Sequence, residues 1–349
     1  MSEWYLAEAK AIDAAMMERA ESYQLTLTKP PGALGQLEQL AIQFSGYQSR
    51  LKPVLETIEI VVMAADHGVA GENVSAFPQA VTGEMVKNFA SGGAAISVLA
   101  RQLNARLTVI NLGTVEPLPE IEGVLDRRIA AGTANFCKVP AMTVEQLQQA
   151  LAIGREAAEA AARRGAQLFI GGEMGIANTT SAACLAARLL GKYAEQMTGP
   201  GTGLDAAGVN HKMAVVERAL VRHPEVEVMQ VLQNLGGFEI AGLVGAYIGC
   251  AQLGIPVLLD GYITTAAALI AEQINPSIQP WLLASHQSAE PAHIDMLQGL
   301  KLQPLLDLGM RLGEGSGAAV AATIVQAACR LQSEMASFAN AGVSGKLDA

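Results

Sequence analysis

The chain of 349 residues carries 23 Lys and Arg against 33 Asp and Glu, a formal charge of −10, and is 16% charged but 51% hydrophobic. Low charge with high hydrophobicity excludes a disordered or fibrous chain, and an acidic balance without a basic run excludes nucleic acid as the main partner, since phosphate-backbone binding needs a clustered basic surface. Aromatic residues are only 4%, so the apolar share is small and aliphatic, with 60 Ala beside 35 Gly; this predicts closely packed helices and many glycine loops.

From the N-terminus, residues 3–24 and 34–49 read as two helices joined by the breaker Thr28-Lys29-Pro30-Pro31-Gly32. The first twenty residues interleave charges with apolar residues and lack the basic start and apolar run of a signal peptide, so they read as mature protein. Five aliphatic runs follow, each ending in a polar or glycine tip: Ile58–Met63 before Asp66-His67-Gly68, Leu107–Ile110 before Asn111-Leu112-Gly113, Gln167–Ile170 before Gly171-Gly172-Glu173-Met174-Gly175, Pro256–Leu259 before Asp260-Gly261-Tyr262, and Trp281–Ala284 before Ser285-His286-Gln287. Continuous apolar strands alternating with helices predict an α/β fold with a parallel sheet buried on both faces. Ligands of such sheets bind beyond the carboxyl ends of the strands, so the five tips are expected to converge on one crevice.

Between these runs, residues 113–142 hold prolines and glycines with little periodicity and predict a long loop over the site or at a subunit contact. Ile240 to Leu259 carries no charge over a membrane-spanning length, but Gly254-Ile255-Pro256 interrupts it, so it reads as a buried helix, a stop and a strand rather than a membrane span. Ser316 to Met335 predicts a long apolar helix. The four cysteines, Cys137, Cys184, Cys250 and Cys329, form no CxxC pair and read as reduced thiols in the cytoplasm.

Three constellations bear on chemistry. Gly171 to Thr180 runs a strand tip into a helix start, where unpaired N–H groups and glycines, Gly175 among them, suit an anion, with Asn178 and Thr179 as polar contacts or as ordinary helix caps. Gly199-Pro200-Gly201-Thr202-Gly203-Leu204-Asp205 formally matches a dinucleotide pattern but follows a helix instead of a strand. A second phosphate nest at Gly201 and Gly203, with Lys212 as balancing charge, fits better; an exposed helical Lys212 is the bland alternative. In Arg311-Leu312-Gly313-Glu314-Gly315-Ser316-Gly317 a carboxylate between glycines is sterically open and suited to act as a base, or simply caps the helix. The histidines show no metal-ligand spacing.

In order along the chain, Lys29–Gly35, Ala65–Val69, Val74–Gln79 with Val81-Thr82, Gly172–Thr180, Gly236–Glu239, Val257–Gly261, Ser285–Glu290 and Arg311–Gly317 resemble the nicotinate-nucleotide:dimethylbenzimidazole phosphoribosyltransferase family. The resemblance implies a Rossmann-like parallel sheet flanked by helices, residues 49–312, a small helical domain from the chain ends, 1–48 and 313–349, and a homodimer. It implies transfer of 5-phosphoribosyl from nicotinate mononucleotide to 5,6-dimethylbenzimidazole for the cobalamin lower ligand, without cofactor or metal. The family's base falls on Glu314, its second active-site glutamate on Glu173 and its phosphate-contacting lysine on Lys212. Its benzimidazole wall falls on Ser75, Phe77 and Gln79 with Leu312. Transfer to another azole, a purine or a phenol, and a non-catalytic nucleotide-binding regulator on the same scaffold, stay open as alternatives.

Overall fold

Every residue of the strand Ile58–Ala65 (β1) is buried, as a mainly apolar run requires of a strand covered on both faces; its one charge, Glu59, is paired by Arg164 at 2.7 Å. The computed structural model describes residues 3–201 and 203–344; the first two residues, Thr202 and the last five residues lie outside the described residues. Beside β1 stand Arg106–Gly113 (β2), Val124–Asp126 (β3), Leu168–Met174 (β4), Val257–Leu259 (β5) and Leu282–Ala284 (β6). They form one sheet in the order β3-β2-β1-β4-β5-β6, parallel throughout. This is the order of a doubly wound Rossmann sheet, whose chain reverses its winding direction between β1 and β4 and leaves a crevice at their carboxyl ends.

Successive residues of β4 show how the two faces are covered. Gly171 lies against Leu243 and Tyr247 of the Phe238–Leu253 helix, whereas Gly172 lies against the turn that opens the Ser316–Glu334 helix. Neighbouring strand residues point to opposite faces, so the two helices sit on opposite sides of the sheet.

The alanines and glycines do what their number suggests. The Val144–Arg163 and Phe238–Leu253 helices meet backbone to backbone, because a Cβ on Gly154 would overlap the Gly242 carbonyl oxygen and one on Gly245 would overlap that of Leu151. Gly154→Ala gains up to about 1 kcal/mol in helix propensity, but overpacking against rigid backbone costs about 1–3 kcal/mol or more. A net loss is therefore expected, measured as a lower urea midpoint. The same buried helix accounts for the uncharged stretch: it stops at left-handed Gly254 and gives way to β5, and no helix among the described residues is long and apolar enough to cross a membrane.

Two expectations differ from the structure. Residues 3–24 are not one helix: after a short turn at Trp4–Leu6 the chain runs extended, and the helix Ala14–Gln24 starts only where Asp13 caps it by accepting the Met16 N–H at 2.9 Å. The extended part is claimed by tertiary bonds, Lys10 N–H to the Ala251 carbonyl and the Trp281 indole N–H to the Lys10 carbonyl. The 113–142 segment contains β3 and packs behind the Asp66-His67 tip, its Thr133 N–H donating to the Asp66 carbonyl. At the chain ends the helix Gln36–Gln48 packs on Ser316–Glu334, and Gln332 donates to Ser45 Oγ at 2.6 Å and accepts from Gln24 at 2.8 Å.

Candidate active site

Glu314 occupies a turn that an ordinary residue avoids, with φ 66° between Gly313 at 85° and Gly315 at 88°. A non-glycine residue in the left-handed region costs about 1–3 kcal/mol and persists only where its surroundings hold it. The buried Asp260, directly after β5, supplies that hold: its two oxygens accept the Gly315 N–H at 3.1 Å and the Ala318 N–H at 2.9 Å. On the other side, β4 comes so close that a Cβ on Gly172 would overlap the Glu314 carbonyl oxygen. Strand tip and turn are thereby pressed together, and Glu173 and Glu314 line one cavity of about 210 Å³ with Asp260, His286, Phe77 and Leu312.

The two carboxyls have different surroundings. Glu314 is 6% exposed and its Oε2 has no hydrogen-bond partner among the described residues. Burial raises its pKa to about 7; the Ile96 backbone amide works against that rise and the charge of Asp260 adds to it. Glu173 accepts from the Asn178 side-chain amide, and burial, then the charges of Glu239 and Asp260, raise its pKa to about 8. Near pH 7 Glu314 is thus partly ionised and free to take a proton, while Glu173 is mainly neutral.

Behind the Thr179 and Gly201 wall of the cavity stands a buried cation. Lys212, on the helix Ala206–Arg222, is 1% exposed, and its Nζ donates to Thr179 Oγ1 at 2.7 Å and to the Gly199 carbonyl at 3.3 Å. Desolvation lowers its pKa to about 8, with Glu290 opposing that shift. Arg311 reaches the Gly201 carbonyl at 3.4 Å. The wall at Thr179 and Gly201 therefore has positive charge behind it, while Glu314 offers a free carboxylate oxygen to a cavity also lined by Phe77 and Leu312.

Comparison with known proteins decides the family: the model of a phosphoribosyltransferase family matches residues 9–343. The chain belongs to this phosphoribosyltransferase family. Over 345 residues it is 56% identical to the nicotinate-nucleotide--dimethylbenzimidazole phosphoribosyltransferase of Pseudomonas fluorescens strain SBW25, covering 98% of each chain. It is 55% identical to the protein of that name from Azotobacter vinelandii, again over 98% of each. Among solved structures, CobT from Thermus thermophilus superposes with a TM-score of 0.91 at 45% identity, over 95% of this chain and 99% of that one.

Within this phosphoribosyltransferase the residues singled out from the sequence fall into two groups. Glu173, Gly175, Asn178, Thr179, Gly201, Phe77, Leu312 and Glu314 line the cavity, and Lys212 reaches Thr179 and Gly199 from behind it. Ser75, Gln79 and Gly203 are not among the lining residues. The Ser75 hydroxyl accepts the Phe77 N–H at 3.2 Å and the Gln79 amide donates to the His67 carbonyl at 2.9 Å, so both brace the loop that carries Phe77. Gly203 is exposed.

The five strand tips do not all converge. Asp66 is used up by the Thr82 hydroxyl and the Val115 N–H, His67 Nε2 pairs with Glu239 Oε1 at 2.5 Å with both side chains fully buried, and Asn111 accepts the Gly113 and Thr114 amides. Only the tips of β4, β5 and β6 line the cavity. Sequence reasoning placed Asp260 and His286 at crevice tips, as found, but gave them no specific role and did not single out Glu290 and Arg311. An acidic residue ending an apolar strand was the available signal for Asp260.

Proposed function

We propose that the chain transfers 5-phosphoribosyl from nicotinate mononucleotide to 5,6-dimethylbenzimidazole, giving α-ribazole 5′-phosphate and nicotinate, with Glu314 as the general base. The observation that carries the reading is a buried carboxylate with a free oxygen on a cavity whose wall residue Thr179 is bonded from behind by a buried cation, in a chain 56% identical to enzymes named for this reaction.

The bond between ribose C1′ and the pyridinium nitrogen breaks with its electron pair going to nitrogen. Nicotinate therefore departs with a neutral ring and needs no general acid. An acceptor nitrogen uses its lone pair on the opposite face of C1′, which inverts β-nucleotide to α-product. The new azolium sheds its other N–H proton to Glu314. Holding the three parts in line is most of the remaining work, and it falls to Lys212, Thr179 and the glycine loop at the phosphate end. Phe77 and Leu312, both half-exposed at the mouth, offer apolar faces to a planar base.

We also read residues 1–48 and 313–349 as the small domain, supported by their mutual packing, and the enzyme as a cytoplasmic homodimer. The free cysteines support the compartment and the family resemblance supports the dimer.

Purified protein incubated with nicotinate mononucleotide and a panel of benzimidazoles, purines and phenols tests the reaction; no nicotinate release with any acceptor overturns it. The pH profile follows from the two buried ends. Below about pH 7 the base is increasingly protonated, so kcat/KM is expected to fall roughly tenfold per unit. Above about pH 8 Lys212 loses its charge and the KM for the nucleotide rises. Initial rates from acid to alkaline pH across these two values should trace a bell.

A further inference from the structure

Glu290 lines the cavity but takes no part in the steps above. It lies in the loop after β6, is 5% exposed, and its Oε1 has no hydrogen-bond partner among the described residues. Its surroundings favour a charged carboxylate only in part: burial pushes its pKa up, while Lys212, the Gly201 amide and Arg311 pull it down. Neither cation makes an ion pair with it. Lys212 is committed to Thr179 and Gly199, and Arg311 points at the Gly201 carbonyl.

We propose that Glu290 binds the ribose hydroxyls of the nucleotide donor; the assignment rests on the reaction proposed above. A buried carboxylate oxygen without a partner costs about 1–3 kcal/mol or more, so a complementary ligand is expected to bring a donor to it. A carboxylate accepts only. The phosphate of the nucleotide has no proton to give at neutral pH, and neither has the carboxylate of nicotinate. The acceptor's N–H belongs beside Glu314, among the apolar walls. That leaves the ribose hydroxyls, which lie a few bonds from the phosphate and so come next to Lys212 and Arg311, where Glu290 stands. A carboxylate also rejects a donor lacking a hydroxyl, because its oxygen is then left unpaired.

The loop does not depend on this side chain. Its backbone is held by the Glu290 N–H on Ser288 Oγ at 3.3 Å and the His293 N–H on the Glu290 carbonyl at 3.0 Å. Glu290→Ala and the isosteric Glu290→Gln are therefore tested side by side, with melting curves to show that at least one is folded. With wild-type enzyme, 2′-deoxy or 3′-deoxy nicotinate mononucleotide is expected to lose about 10- to 150-fold in kcat/KM, the size of a hydrogen bond to a charged group. In Glu290→Ala that penalty should shrink to a few-fold for at least one of the two analogues, while the KM for dimethylbenzimidazole stays unchanged. An equal deoxy penalty in wild type and variant overturns the proposal. So does tighter nucleotide binding by Glu290→Gln, which would make Glu290 an anion competing with the phosphate. Failure of the wild-type enzyme to release nicotinate at all would instead overturn the reaction, and is scored separately.

Discussion

Glu314→Gln is expected to lower kcat by about 10²-fold or more while leaving the KM for nicotinate mononucleotide close to wild type. General-base contributions are typically about 10²- to 10⁴-fold. The amide keeps the shape of the side chain, and the turn stays in place because Asp260 holds the backbone amides of Gly315 and Ala318, not the Glu314 side chain. On the proposed reading the nucleotide's phosphate is held at Lys212, Thr179 and the glycine loop, so ground-state affinity for the donor should survive. The acid limb of the pH profile should also disappear, since it reports the ionisation of this carboxyl at about pH 7. Glu173 does not replace it: burial and the charges of Glu239 and Asp260 keep Glu173 mainly protonated at pH 7, and one of its oxygens is taken by Asn178. Near-wild-type turnover with dimethylbenzimidazole would remove Glu314 from the chemistry.

Strand composition made the sheet readable in advance. Runs such as Ile58–Met63 have one physical solution, burial on both faces, and the glycine tips marked where the chain leaves the sheet. The turn around Glu314 was equally visible, because glycines on both sides of a single acid leave few roles for that acid. What escaped was whatever depends on a distant partner. Asp260 is read as a strand tip, but its function is to clamp amides 55 and 58 residues further on. Ser75 and Gln79 carry polar groups that look available, yet their bonds to Phe77 and His67 are made inside the loop itself. Three-residue β3 is too short and too exposed to show a period, and the 7–13 stretch is held extended by bonds to Ala251 and Trp281 that no local pattern announces.

Lys212→Met separates binding from folding at the other end of the site, and the two effects have opposite signs. The variant keeps much of the side-chain volume and removes a charge that is 1% exposed. If the Nζ contributes a charge-assisted hydrogen bond to the phosphate, about 1.5–3 kcal/mol is lost. The KM for nicotinate mononucleotide should then rise about 10- to 150-fold, with kcat at saturating donor much less affected. Folding responds differently. Desolvation has lowered the lysine pKa from 10.5 to about 8, so the unfolded chain binds more protons between those values and stability rises with pH across that window. At pH 7 the wild-type protein bears the full penalty of burying the charge, roughly 3 kcal/mol from the size of the shift. The bonds to Thr179 Oγ1 and Gly199 offset only part of it. Replacing a buried cation by an apolar side chain should therefore leave the melting temperature at pH 7 unchanged or raise it. A protein that melts no lower yet needs far more donor has lost a binding charge. One that melts lower with unchanged KM would show that Lys212 serves the scaffold, and the phosphate would have to be held by Arg311 and the backbone amides of the glycine loops.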